Sequence, residues 1–265
     1  MADAFYLPLP DGRLLATPHT AGPWSPDAQH FGPPSALLVR ALEAAETGEH
    51  PGLLARVTVE ILGPAPVGAE LSVRSWLDRP GRSVELLGAE LAAGDRVIAR
   101  ASAWRIATSD TAAVATGDEV PLPPPENCPE APWPPGWRGG YLEAMEWRSV
   151  RGGTTEPGPA AVWARQRLPL VDGEQPSALQ RLFAVADSGN GVSNFLPLDR
   201  WWFINSELTV HVRRPPAGDW IGLDAATAVG PHGVGTATST LHDGSGPVAT
   251  GAQALLVRPR QAGGE

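Results

Sequence analysis

Pro34-Ser35-Ala36-Leu37 and Pro176-Ser177-Ala178-Leu179 carry the reading that decides the fold: one chain opens two helical patterns with the same four residues. After the first, Leu38, Ala41, Leu42 and Ala45 recur at helical spacing. After the second, Leu182, Phe183 and Ala186 continue from Leu179. A proline at each start costs no hydrogen bond, because the first N–H groups of a helix have no partner within it. Outward from each helix comes a strand pattern with a Pro/Gly stop. Residues 57–61 run into Pro64 and Gly68, and residues 208–212 run into Pro215 and Gly218. Three alternating runs follow in each half, 71–77, 83–91 and 97–106, then 220–229, 233–241 and 248–257. Turn signals such as Arg79-Pro80-Gly81 and Asp243-Gly244-Ser245-Gly246 separate them. Shorter strand patterns lie ahead of each helix, at 5–9 and 13–16 and at 145–151 and 161–168. Each half thus reads strand, strand, helix, four strands: an α+β unit with its helix laid across an antiparallel sheet, made twice by duplication. Residues 1–108 and 141–265 are the two units. Residues 109–140 are a linker held extended by Pro121, Pro123, Pro124, Pro125, Pro129, Pro132, Pro134 and Pro135.

Composition narrows the chemistry. The chain has 265 residues, 20 basic against 29 acidic, and all 20 basic residues are arginine. Without lysine there is no P-loop lysine, no Schiff base and no Ser-Lys dyad. A formal charge of −9 opposes non-specific nucleic-acid binding, which needs a basic field. Cys128 is the single cysteine, so an intrachain disulfide and a cysteine metal site are both excluded, and a cytoplasmic protein is expected. No apolar run reaches the roughly 18 residues of a membrane span, and the N-terminus lacks the basic-then-apolar order of a secretory signal. The six histidines include no pair at metal-ligand spacing, and His211 and His232 read as exposed. Gly233-Val234-Gly235 leads into a strand and lacks the third glycine of a dinucleotide loop, and there is no G-x-S-x-G elbow. Neither metal nor cofactor is expected.

Several segments, in this order and spacing, resemble one family. They are His30-Phe31-Gly32-Pro33-Pro34-Ser35-Ala36-Leu37-Leu38, Val59-Glu60-Ile61-Leu62-Gly63-Pro64, Val185-Ala186-Asp187, Asn205-Ser206-Glu207-Leu208-Thr209-Val210-His211, Gly218-Asp219-Trp220 and Ala252-Gln253-Ala254-Leu255-Leu256-Val257. The chain is similar to the TesB-like acyl-CoA thioesterases, whose fold is a double hotdog: two tandem units, each a long antiparallel sheet wrapped round a central helix. The resemblance implies hydrolysis of a fatty acyl-CoA without metal or covalent intermediate, and assembly as a homodimer or higher homo-oligomer. It also implies an Asp, Thr and Gln trio that aligns the attacking water. By position the Gln falls on Gln253, the Thr on Thr227 and the Asp on Asn205, and an asparagine orients water without taking its proton.

Alternation weighs these residues independently. Gln253 shares a face with Ala249, Gly251, Leu255 and Val257, so its amide is buried and needs partners. It either ties down a loop or holds water at the reacting bond. Thr227 lies on the apolar face with Ile221, Leu223 and Val229, where a threonine commonly bonds backbone. Asn205 falls on the polar row with Glu207, Thr209 and His211 unless a strand begins after it. Asp187 closes the second helix, where a carboxylate opposes the helix dipole; it is either a loop cap, a partner of an arginine, or the base that Asn205 is not. His30 and Gly32, just ahead of the first helix, are candidate substrate contacts, and N–H groups of a helix start are candidate donors to the thioester carbonyl. Arg213 and Arg214 are candidate ligands for coenzyme A phosphates, as are Arg79 with Arg82 and Arg258 with Arg260. Two other readings stay open: a hotdog enoyl-CoA hydratase using Asp27 with His30, and a double hotdog that binds acyl-CoA without turning it over.

Overall fold

The computed structural model describes residues 3–46, 51–117, 120–134, 137 and 139–260; Pro135 of the linker lies outside them. In the first half, β1 (Tyr6–Pro8) and β2 (Leu14–Ala16) precede α1 (Gly32–Glu43). Four strands follow: β3 (Gly52–Ile61), β4 (Glu70–Arg79), β5 (Val84–Ala93) and β6 (Arg96–Ala107). In the second half a short α2 (Gly140–Ala144) leads into β7 (Met145–Arg151) and β8 (Ala160–Gln166). Next come α3 (Ala178–Ala186), a single turn α4 (Gly189–Val192), β9 (Trp201–Asn205), β10 (Glu207–Val212), β11 (Ile221–Val229), β12 (Val234–Asp243) and β13 (Gly246–Pro259).

All strands belong to one sheet, ordered β1-β2-β4-β5-β6-β3-β10-β13-β12-β11-β8-β7, with β9 on β13. Outward from the central β3–β10 pair, the succession is the same on both sides. At that seam Thr58 faces Thr209, and their hydroxyls are 3.0 Å apart. An antiparallel pair with like residues opposite each other is what a two-fold relation between copies produces. The sheet curls until its ends nearly meet. Phe5 and Tyr6 donate backbone bonds to Pro169 and Leu170 in the segment after β8, which covers the β1 edge. Backbone bonds from Ala131 to Trp147 and from Ser149 to Pro129 lay part of the linker along β7. Both exposed edges are thereby shielded.

The two helices fill the inside of the curl and run antiparallel. The start of α1 meets the end of α3, where a Cβ on Gly32 would stand 2.2 Å from the Ala184 carbonyl oxygen. At the other end Ser177 donates to Glu43 at 2.8 Å, and Arg40 pairs with Glu174. Residues from Gly32 to Val39, with Leu42, are buried along α1, as are Leu179 and Leu182 to Ala186 along α3. This double hotdog is the expected fold. No helix among the described residues is long and apolar enough to cross a membrane.

Two details differ from the sequence expectation. The shared Pro-Ser-Ala-Leu does not occupy the same place in the two helices. Ser177 is a true cap, its side chain accepting from Gln180 N, whereas Ser35 sits inside α1 and donates to Phe31 O at 2.7 Å. The first helix starts a turn earlier because Gly32 lets the backbones touch. The second half also has five strand segments after its helix, not four. Trp201–Asn205 extends along β13, and Ser206 interrupts it as a bulge before β10 resumes.

Gly32→Ala is expected to lower stability by about 1–3 kcal/mol through overpacking against Ala184, despite the better helix propensity of alanine. Gly244→Ala, where an added Cβ meets nothing within 4 Å, is expected to fall within about 0.5 kcal/mol of the parent. Urea unfolding of the pair checks this.

Candidate active site

At the junction of α1 and α3, side chains from both halves converge on Asp187, the residue that ends α3. Asn205 Nδ2 donates to its Oδ1 at 2.7 Å. Gln253 Nε2 donates to the Asp187 backbone carbonyl at 3.0 Å and approaches Oδ1 at 3.4 Å. The backbone N–H of Phe31 also bonds the carboxyl, and His30 Nδ1 lies 3.5 Å from Oδ2. Among the described residues these partners are amides and an imidazole, with no guanidinium. Burial therefore dominates and pushes the carboxyl up to about 7, although Asn205, Phe31 and Gln253 each favour the ionised form.

Gln253 is 2% exposed, and its amide is satisfied on both sides. Its Oε1 accepts from Asn190 N at 3.1 Å while its Nε2 serves Asp187. It thus ties down α4 and touches the carboxyl at once. Gly189 makes room for it, since a Cβ there would come within 2.8 Å of Oε1. Asn205 reaches the inside because the bulge at Ser206 resets the alternation. Phe203 and Asn205 share the inner face, while Glu207, across the bulge, bonds Thr209 Oγ1 and Ala254 N. Strict parity through residue 206 put Asn205 on the wrong side.

His30 stacks flat on Tyr141, with ring centroids 3.8 Å apart and an interplanar angle of 6°. Its Nδ1 accepts from Gly32 N at 3.0 Å, so the ring proton belongs on Nε2. Burial depresses its pKa to about 3, which keeps the imidazole neutral. Tyr141 in turn donates to Ala184 O at 2.7 Å and lies 3.0 Å from Ser188 Oγ, with burial raising its own pKa. Tyr141 and Ser188 had no sequence signal beyond the Gly139-Gly140 pair, whose positive φ angles turn the chain into α2.

The remaining candidates sit elsewhere or are otherwise engaged. Thr227 bonds Ser193 Oγ at 2.7 Å, next to α4, and lies two strands from Gln253 by way of Ala237. Arg214 grips buried Asp243 through both terminal nitrogens at 2.5 and 2.8 Å. Burial pushes Asp243 up, yet that grip and the N–H groups of Ala217 and Ser245 hold it at about 2. Arg213 donates to Pro247 O. The start of α1 offers the carbonyl no spare N–H: Phe31 serves Asp187, Gly32 serves His30, and Pro33 and Pro34 have none. Asp27 is exposed, and His30 is set against Asp187. Among the described residues no cluster of three or more His, Cys, Asp or Glu is arranged to hold a metal.

Models of the acyl-CoA thioesterase N-terminal and C-terminal domains match residues 20–106 and 125–257. Three solved structures are similar over nearly their whole length. A protein from Novosphingobium aromaticivorans assigned to the thioesterases has 21% identity and a TM-score of 0.72, covering 95% of this chain and 98% of that one. A hot dog fold protein from Alicyclobacillus acidocaldarius has 17% identity and a TM-score of 0.72, covering 93% and 92%. The acyl-CoA thioesterase II TesB2 of Mycobacterium marinum has 17% identity and a TM-score of 0.66, covering 98% and 97%. At these identities the likeness is one of fold. No curated protein matches the sequence.

The Asp187 carboxyl has a consequence for stability. An unfolded Asp loses its proton near 3.9, whereas this one keeps it to about 7. Between those values the folded chain binds more protons than the unfolded chain, so stability falls as pH rises. Three pH units correspond to about 4 kcal/mol. Asp187→Asn lacks the penalty and is expected to gain stability over the parent progressively from pH 4 to 7, then level off. Denaturant unfolding across that range checks it; a difference independent of pH would contradict it.

Proposed function

This chain belongs to the acyl-CoA thioesterase family, and on that premise we propose that it hydrolyses the thioester of a fatty or other acyl-CoA with Asp187 as general base. The convergence of Asn205 and Gln253, from separate strands, on one buried carboxyl is the observation that carries the reading. In its ionised form Asp187 takes a proton from a water as the water oxygen attacks the carbonyl carbon. The C–S bond then breaks, and the proton passes to the departing sulfur. The products are a carboxylic acid and the free thiol of coenzyme A.

Each neighbour has a definable part. Asn205 and Gln253 fix the carboxyl and leave Oδ2 as the oxygen not held by either amide. Gln253 also fixes α4 through Asn190, so the end of α3 cannot drift. His30 supplies what the helix start does not: a neutral imidazole carrying its proton on Nε2, an uncharged donor to the carbonyl oxygen as negative charge develops there. Thr227 acts one step removed, through Ser193 and α4. A base near 7 is well matched to work at neutral pH, where enough is ionised and the ionised form still attracts a proton.

Thiol release from a panel of acyl-CoAs tests this. kcat/KM is expected to rise about tenfold per pH unit below 7 and to flatten above it. Asp187→Asn should lose about 10²–10⁴-fold, and Gln253→Ala should lose activity with a displaced pH midpoint. Turnover in Asp187→Asn within tenfold of the parent would overturn the assignment of the base, and no turnover at any chain length would overturn the reaction.

A further inference from the structure

The duplication that builds the site also builds its counterpart at the far end of the helix pair. The correspondence follows from register. Thr58 matches Thr209 across the seam, and their outer neighbours Ser102 and Ala252 match in turn, which puts Ala103 where Gln253 stands. β3 carries a register shift between Leu54 and Arg56, the same irregularity that Ser206 makes between β9 and β10. Leu54 pairs with Arg105 as Asn205 pairs with Leu255, so Leu54 stands in the place of Asn205. Counted from Pro-Ser-Ala-Leu, Ala45 stands opposite Asp187, and counted from the helix C-caps Ala44 does; both are alanine. Asp187, Asn205 and Gln253 thus each have Ala or Leu as counterpart.

A cavity nevertheless remains there. It has a volume of about 480 Å³ and is lined by Leu42, Leu53, Leu54, Arg105, Ser177 and Leu179, among others. That lies within the 300–1,000 Å³ of ordinary small-ligand pockets, which are mostly apolar with a few polar groups. Around it the polar groups already have partners. Glu43 accepts from Ser177 and Gln180, and Arg105 pairs with Glu85. The lining thus combines the apolar side chains of Leu42, Leu53, Leu54 and Leu179 with Glu43, Arg105 and Ser177, which already have partners. The Glu43 carboxylate opposes an anion, so an aliphatic chain suits the cavity better.

We propose that this cavity is a second, non-hydrolytic site for a fatty acyl chain, so that each chain holds two acyl groups and cleaves at one end only. The acyl class of the ligand rests on the function proposed above, whereas the place of the cavity rests on the copy symmetry alone. The occupant is an acyl chain delivered either as acyl-CoA or as the released fatty acid, and the two sources are distinguishable. Calorimetric titration with a hydrolysis-resistant dodecyl-CoA thioether, and separately with dodecanoate, is expected to give two equivalents per chain for at least one of them. If only the thioether does so, the CoA ester is the source. If dodecanoate also reaches the second site, the chain alone suffices. Leu54→Trp fills the cavity and should reduce two equivalents to one, with initial-rate kcat/KM on dodecanoyl-CoA within twofold of the parent. Leu53→Glu, at a half-buried position on the same wall, gives the same readout should the tryptophan impair folding. A single equivalent in the parent chain, or a second equivalent that survives both substitutions, overturns the proposal. Absence of dodecanoyl-CoA turnover would count against the hydrolytic reading alone, because the stoichiometry is read without hydrolysis.

Discussion

A carboxyl buried with no cation beside it among the described residues is the constraint on which the rest of the structure turns. Asp187 is 4% exposed, it stands at the end of a helix where the dipole is unfavourable, and its described partners are amides and a neutral imidazole. An isolated charge in such a place is strongly disfavoured, and the group responds by keeping its proton. The surroundings are built to tolerate that and to leave ionisation within reach. Gly32 allows α1 to touch α3, which brings the Phe31 N–H and the neutral ring of His30 to the carboxyl. Gly189 leaves room for Gln253. The bulge at Ser206 turns Asn205 inward. Backbone permissiveness at three points thus serves one side chain.

The contrast with Asp243 shows why the partners matter more than depth. Both carboxyls are buried, but Asp243 has the Arg214 fork and two backbone N–H groups and is held at about 2. Asp187 lacks a cation among the described residues and rises to about 7. The first is a structural ion pair that fastens the Arg213-Arg214 turn to β12. The second is the group to which the proposed mechanism gives the proton transfer. The duplicated end of the helix pair completes the picture: with Ala45, Leu54 and Ala103 it bears no such burden, and its two helix ends are joined by Ser177, Gln180 and Glu43.

Most of the architecture was legible because local patterns and turns agreed. Alternation located the strands of both halves, the repeated Pro-Ser-Ala-Leu located both helices, and the burial of Gln253 followed from its row in the last strand. What escaped was set by geometry that no short window contains. The strand at Trp201–Asn205 was hidden because a single bulge residue flips parity, and for that reason strict parity set Asn205 on the outer row unless a strand began after it. The pairing of His30 with Asp187 joins residues from opposite halves, so sequence spacing offered only Asp27 as an acidic neighbour, and that for the alternative hydratase reading. Tyr141 had no pattern to declare it, since its role depends on where α2 lies against the segment ahead of α1 and the end of α3. Asp187 itself was visible only as an anomaly, a negative charge at a helix C-terminus, and that anomaly proved to mark the centre of the cluster.

The account depends on Asp187 being protonated in much of the folded population near neutrality. Infrared difference spectroscopy of the parent against Asp187→Asn reads this directly, through the carbonyl stretch of a protonated carboxylic acid that only the parent can contribute. The band is expected to be full at pH 5, to halve near pH 7 and to vanish above pH 9. A carboxyl already ionised at pH 5 would contradict the account.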